Sequence, residues 1–140
     1  MSDLPSARSV PAWTDTERPQ RLRRGWRSKF HEAFRGVKKG VRGQSSFFVH
    51  IFFAALAIAG AVALDCEVIE WCVLILCIGG VLTAELFNSA IEMLFKGLDE
   101  AARSRWYPCL DIAAGAVLLA SITALFVGSL IFVYRLVRFF

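Results

Sequence analysis

Glu85, Asn88, Ser89 and Glu92 are spaced i, i+3, i+4 and i+7, which on a helix puts all four on one face. Two carboxylates, an amide and a hydroxyl on one stripe can take a proton from an attacking hydroxyl, hold a divalent cation, or bind polar groups across a helix interface. The stripe closes a long apolar run, Val68 to Phe95, where a lipid-facing helix has no use for it. It is therefore either a polar seam between packed helices or a reaction site, and the cost of ionisable groups at membrane depth favours the second. Asp111 is another acid, the only one in the next apolar run and one turn into it.

The elements that carry these residues follow from composition. The chain has 140 residues, 56% of them hydrophobic, and a mean hydropathy of +0.54, too apolar for a soluble domain of this size. Three segments approach the roughly 20 residues that a membrane-spanning helix needs, at about 46–64, 68–95 and 109–134. The net charge of +4 hides an asymmetry: eleven of the sixteen Lys and Arg fall in the first 42 residues. That block predicts a segment on the cytoplasmic membrane surface. No aromatic-interleaved basic platform accompanies it, so nucleic acid is not the expected partner. Cys66, Cys72, Cys77 and Cys109 lack CxxC spacing and read as small buried hydrophobes rather than disulfides or zinc ligands.

In chain order, residues 1–20 are a Pro- and Ser-containing leader that predicts disorder. Residues 21–140 form one membrane domain. Its first part, 21–42, places Trp26, Phe30, Ala33, Phe34, Val37 and Val41 at helical spacing with basic residues between them. This predicts an amphipathic helix lying on the inner leaflet, its cations toward lipid phosphates or toward a phosphorylated ligand. Gly43 to Ser46 is a turn with a helix cap candidate, and His50 follows near the start of the first span, where interfacial hydrogen bonding is its expected role. The connection Asp65 to Glu70 is acidic and lacks Lys and Arg, which puts it outside and the N-terminus in the cytoplasm. The second span is the long one, about 28 residues or roughly 42 Å, so Glu85 falls just inside the cytoplasmic boundary and Glu92 at headgroup level. Lys96 to Tyr107 reads as a charged cytoplasmic segment, Pro108 suits the first turn of the third helix, and Arg135 and Arg138 fall outside, against the positive-inside bias. The expected fold is thus all-α: a surface helix plus three transmembrane helices in a multi-pass protein of the bacterial cytoplasmic membrane. So much polarity in so small a chain calls for self-association.

Carboxylates grouped at a cytoplasmic interface beside cations suit phosphoryl transfer, one acting as base and others holding a metal that bridges nucleotide phosphates. There is no Walker A sequence or kinase Gly-rich loop, so helix side chains must build any nucleotide site. A channel or carrier is disfavoured because the acids gather at one end instead of crossing the membrane.

The run Ala84-Glu85-Leu86-Phe87-Asn88-Ser89-Ala90-Ile91-Glu92 resembles the E-[LI]-x-N-[ST]-A-I-E signature of the small prokaryotic diacylglycerol kinases and undecaprenol kinases. Leu110-Asp111-Ile112-Ala113-Ala114-Gly115-Ala116-Val117-Leu118-Leu119 resembles their third-helix K-D-x-A-[AS]-[GA]-A-V-L-[IL]. Ala33-Phe34-Arg35-Gly36 is similar to the start of their surface helix, and the likeness extends over residues 26–133. The resemblance implies a homotrimer that moves the ATP γ-phosphate to a membrane lipid alcohol, with Mg²⁺. Diacylglycerol is the first expectation; undecaprenol, or a diverged non-enzymatic homologue, is the alternative. Carried over by position, Glu85 is the general base, Asn88 and Ser89 support it, Glu92 ligates metal beside the ATP phosphates, and Asp111 belongs to the nucleotide site. Three positions depart from the family pattern. Gln44 stands where a second metal-binding Glu is usual, Leu110 where Lys precedes the third-helix Asp, and Lys96 where an acid is usual a turn after the signature. Gln44 keeps a carbonyl oxygen for metal and ATP, and Lys96, Arg103 or Arg105 can stand in for the lost phosphate partner, with Arg103 the expected ATP contact.

Overall fold

A computed structural model describes residues 25–41 and 45–139. The 1–20 leader, the first residues of the expected surface helix, and Gln44 lie outside the described residues. Five helices follow in order: α1 (Trp26–Val41), α2 (Ser45–Ala63), α3 (Val68–Lys96), α4 (Glu100–Trp106) and α5 (Pro108–Phe139). No strand occurs among the described residues.

The described residues up to Arg35 and those from Gly36 onward fall into two units. Within the first, α1 exposes Trp26, Phe30 and Phe34 along one side, as the apolar spacing requires. Lys29 lies over the Trp26 ring at 5.4 Å from its centroid, a cation–π contact that tucks the ammonium against the aromatic face.

In the second unit α2, α3 and α5 are each long and apolar enough to cross a membrane. At 1.5 Å per residue they measure about 28, 43 and 48 Å, so α2 barely matches a hydrocarbon core of about 30 Å and the other two exceed it. Leu76, Leu94, Ile112 and Leu119 are exposed on outward faces, the pattern of a chain whose solvent is lipid. Contacts run mainly between α3 and α5, with α2 packed more lightly on α3.

The turn from α2 to α3 is short because the chain reverses in a left-handed step. Asp65 has φ 48°, a conformation that Asp tolerates better than most residues. Cys66 N–H donates to Ala61 C=O at 3.0 Å, the six-to-one bond of a Schellman-type helix end. Ala61, Cys66 and Leu74 are buried here, with Leu64, Trp71, Ile131 and Phe132 packed around them. Burial first, and then the nearby charge of Glu70, pushes the Cys66 thiol above its ordinary pKa, so it behaves as a small hydrophobe. Cys72 and Cys109, expected to be buried, are exposed on outward faces, whereas Cys77 is half-buried.

Arg135 resolves its own charge imbalance. Its Nη2 lies 2.9 Å from Glu67 Oε1 and 2.6 Å from Glu70 Oε2. Its Nε donates to both oxygens of Glu70, at 3.0 and 2.7 Å. Glu70 also accepts from Glu67 N–H at 2.7 Å, so one carboxylate caps α3 and ties it to α5. The guanidinium fork serves two carboxylates at once, which a Lys ammonium cannot do in the same geometry. Arg135→Ala is expected to lower the thermal midpoint in detergent, followed by circular dichroism, and Arg135→Lys to lower it less. Equal midpoints for all three proteins would show the clamp to be idle.

The Lys96–Tyr107 segment is more ordered than a charged loop. Asp99 accepts from Ala102 N–H at 2.8 Å and so caps α4, a signature legible in Asp99-Glu100-Ala101-Ala102. At the far end α5 runs on to Phe139, beyond the Tyr134 expected from hydropathy.

Candidate active site

The polar stripe lies on the C-terminal half of α3 and turns inward. Glu85 is 1% exposed, Ser89 2% and Asn88 9%, whereas Glu92, one turn beyond Asn88, is half-buried. A carboxylate buried to this degree must be met by polar partners, and α2 supplies them. Ser46 Oγ donates a short hydrogen bond to Glu85 Oε1. His50 Nε2 stands 4.0 Å from Glu85 Oε2. Ser46 and His50 are four residues apart, hence on one face of α2, and that face meets the Glu85 side of α3.

The other end of the stripe faces α5. Asn88, Glu92, Phe95 and Lys96 of α3, with Leu110, Asp111 and Ala114 of α5, line one pocket of about 300 Å³. Asn88 Nδ2 donates to Glu92 Oε1 at 3.3 Å and so orients the carboxylate. Lys96 Nζ lies 3.9 Å from Glu92 Oε2, a pairing of a solvated ammonium with a half-buried carboxylate, from which a stronger ligand displaces the ammonium at little cost. Glu85 and Glu92 are separated by about 10 Å of helix rise, which divides the site into a proton-taking part and an anion- or cation-holding part.

Five of the expected residues thus come together around one helix half: Glu85, Asn88, Ser89, Glu92 and Asp111. Asp111 is exposed at the pocket edge. Arg103 does not line the pocket; its Nη2 donates to the Lys96 carbonyl at 2.5 Å, closing the end of α3. Gln44 cannot be placed, because it is outside the described residues. Ser46 and His50 are additions that the sequence reading did not make. Their signal was available: a Ser and a His one turn apart at the head of an otherwise apolar helix.

Among the described residues no three His, Cys, Asp or Glu side chains converge as a ready metal cage. Glu92, Asp111 and the Asn88 amide nevertheless offer hard oxygen donors around one pocket. Mg²⁺ is commonly held by one or two carboxylates together with substrate phosphates, so this donor set fits it. A second, larger cavity of about 730 Å³ runs between α2, α3 and α5, lined by apolar side chains such as Phe53, Val81, Leu82, Leu125 and Phe132, with His50 on its wall.

The chain is 30% identical over 115 residues to the undecaprenol kinase of Bacillus subtilis, covering 82% of this chain and 93% of that protein. It is 36% identical over 104 residues to the diacylglycerol kinase of a Synechocystis species, covering 71% of this chain and 57% of that longer protein. No solved structure matches the chain significantly. The sequence model described as prokaryotic diacylglycerol kinase matches residues 31–132, a stretch that holds the whole stripe, Ser46, His50 and Asp111. The chain belongs to the prokaryotic diacylglycerol kinase family and is a membrane lipid kinase.

Proposed function

We propose that the protein transfers the γ-phosphate of ATP to the primary hydroxyl of a membrane lipid alcohol, diacylglycerol in the first reading, at the cytoplasmic face of the bacterial inner membrane. The observation that carries this is a buried carboxylate, Glu85, set beside an apolar cavity on one side and within the same helix half as a carboxylate pocket on the other. Glu85 takes the hydroxyl proton. Ser46 holds the carboxylate plane and Asn88 holds Glu92. Glu92 and Asp111, with Gln44 from before α2, would hold Mg²⁺ beside the ATP phosphates, and the ion would supply neutralisation of the charge that develops on them. Ser89 supports the buried face. A second reading, undecaprenol as the acceptor, is favoured by the relative that this chain matches over 93% of its length. The exposed Asp111 and the half-open pocket support a homotrimer in which a second copy closes the site.

The test is labelled ATP with Mg²⁺ and the purified full chain in bicelles, offered diacylglycerol and undecaprenol separately. Label in one lipid names the substrate, and label in neither, with a folded oligomer, overturns the proposal. Leu110 lines the phosphate pocket at the place where the family usually carries Lys. Leu110→Lys is expected to lower the KM for ATP about threefold to tenfold, the worth of one charged contact at a half-open site. An unchanged KM in steady-state kinetics would mean that another cation already occupies that role.

A further inference from the structure

We infer that His50 is a substrate-contacting residue, and that its Nε2 and Glu85 Oε2 together clamp the hydroxyl of the lipid alcohol. The inference rests on the lipid-kinase reading above and adds to it the residue that recognises the acceptor.

Glu85 has two oxygens with different surroundings. Oε1 is taken by the Ser46 hydroxyl. Oε2 faces His50 Nε2 at 4.0 Å, beyond hydrogen-bond length. An oxygen atom placed about 2.8 Å from both closes that triangle, with an angle near 90° at the oxygen. A lipid hydroxyl fits there in one way. It donates its proton to Glu85 Oε2 and accepts from His50 with the imidazole proton on Nε2. One lone pair is left for phosphorus. In the reaction the proton passes to Oε2 and the hydroxyl oxygen bonds to the γ-phosphorus. The bond from that phosphorus to the β,γ-bridging oxygen breaks, and ADP leaves.

The setting supplies the rest of the recognition. His50 lines the 730 Å³ apolar cavity, so a hydrocarbon chain lying in it presents its head to the pair. No other charge competes among the described residues lining that cavity. α5 contributes Ser121, Ala124, Leu125, Gly128, Ser129 and Phe132, all uncharged, and α3 adds only the Cys77 thiol as a titratable group. The next acid on α3, Glu92, is turned to Asn88 and Lys96. Such a site takes a neutral alcohol and rejects a charged headgroup, whose desolvation nothing offsets.

The test uses the full chain in bicelles with whichever lipid alcohol the wild type phosphorylates. His50→Ala is expected to lower kcat/KM for the lipid about tenfold to a hundredfold while KM for ATP stays within about twofold. His50→Gln places an amide nitrogen near the former Nε2 and is expected to recover most of the loss. An unaltered lipid kcat/KM in folded His50→Ala, or no recovery in folded His50→Gln, overturns the clamp. A readout independent of turnover is the ¹⁵N signal of His50, assigned by its loss in His50→Gln against His31, the other histidine. Added lipid alcohol should move the His50 signal, and the same lipid with hydrogen in place of the hydroxyl should not. A shift without phosphorylation keeps the clamp and sinks the kinase proposal; phosphorylation without a shift does the reverse.

Discussion

Glu85→Gln is expected to lower the rate of lipid phosphorylation by about a hundredfold to ten-thousandfold, the usual worth of a positioned general base, with folding unaffected. The two halves of that outcome come from the two oxygens. The carbonyl of Gln can still accept from Ser46 at the place of Oε1, so the contact that ties α2 to α3 survives. The amide nitrogen that replaces Oε2 cannot take a proton from an attacking hydroxyl. Glu85→Ala is a worse probe. It removes the Ser46 acceptor and opens a void at a position that is 1% exposed, so it mixes a stability loss with a catalytic one. Glu85→Asp keeps the charge but draws it back by one methylene, away from both α2 partners, and is expected to fall between the wild type and Gln. The assay is single-turnover label transfer to lipid in bicelles, with circular dichroism and size-exclusion profiles alongside. Full turnover by folded Glu85→Gln would remove Glu85 from the chemistry and leave it as the centre of a structural polar seam.

How much of this was legible beforehand depends on the range of each contact. The α3 stripe is periodic within a few turns, so Glu85, Asn88, Ser89 and Glu92 could be read as one inward face from their spacing alone. The partners of Glu85 could not. Ser46 is 39 residues away, and no local pattern says which face of α2 meets α3. A histidine near a helix start was therefore read as an interfacial residue. Arg135 is the same case at the other end: counted as a charge on the wrong side, it is paired with Glu70, 65 residues away. Hydropathy found the three long helices because burial in lipid writes itself along the whole segment. It passed over α4, where an Asp cap organises seven residues too few and too polar to register. The two outward cysteines were misjudged for a related reason. In lipid an apolar side chain needs no protein cover, so apolar character does not distinguish core from surface.

The second large effect is expected at Glu92, and it should look different from the first. Glu92→Gln is expected to raise the Mg²⁺ concentration for half-maximal rate about tenfold and to lower kcat/KM for ATP about a hundredfold, in line with loss of a charged ligand. Of the two carboxylates of the stripe, its own is the one that lines the pocket shared with Asp111, and Asn88 holds it there through Oε1. The opposing ammonium of Lys96 is 76% exposed, so a divalent cation displaces it cheaply, and Lys96→Ala should change Mg²⁺ dependence little. Asn88→Ala should shift it in the direction of Glu92→Gln but by less, because it frees the carboxylate without removing it. Gln44→Glu should move the Mg²⁺ requirement the opposite way, by restoring a second negative ligand where the family usually has one. The reading is a rate titration against Mg²⁺ at fixed ATP for the wild type, these four variants and Asp111→Asn. If Glu92→Gln leaves the Mg²⁺ midpoint in place while Asp111→Asn moves it, the metal belongs to α5, and Glu92 serves only to order the end of α3.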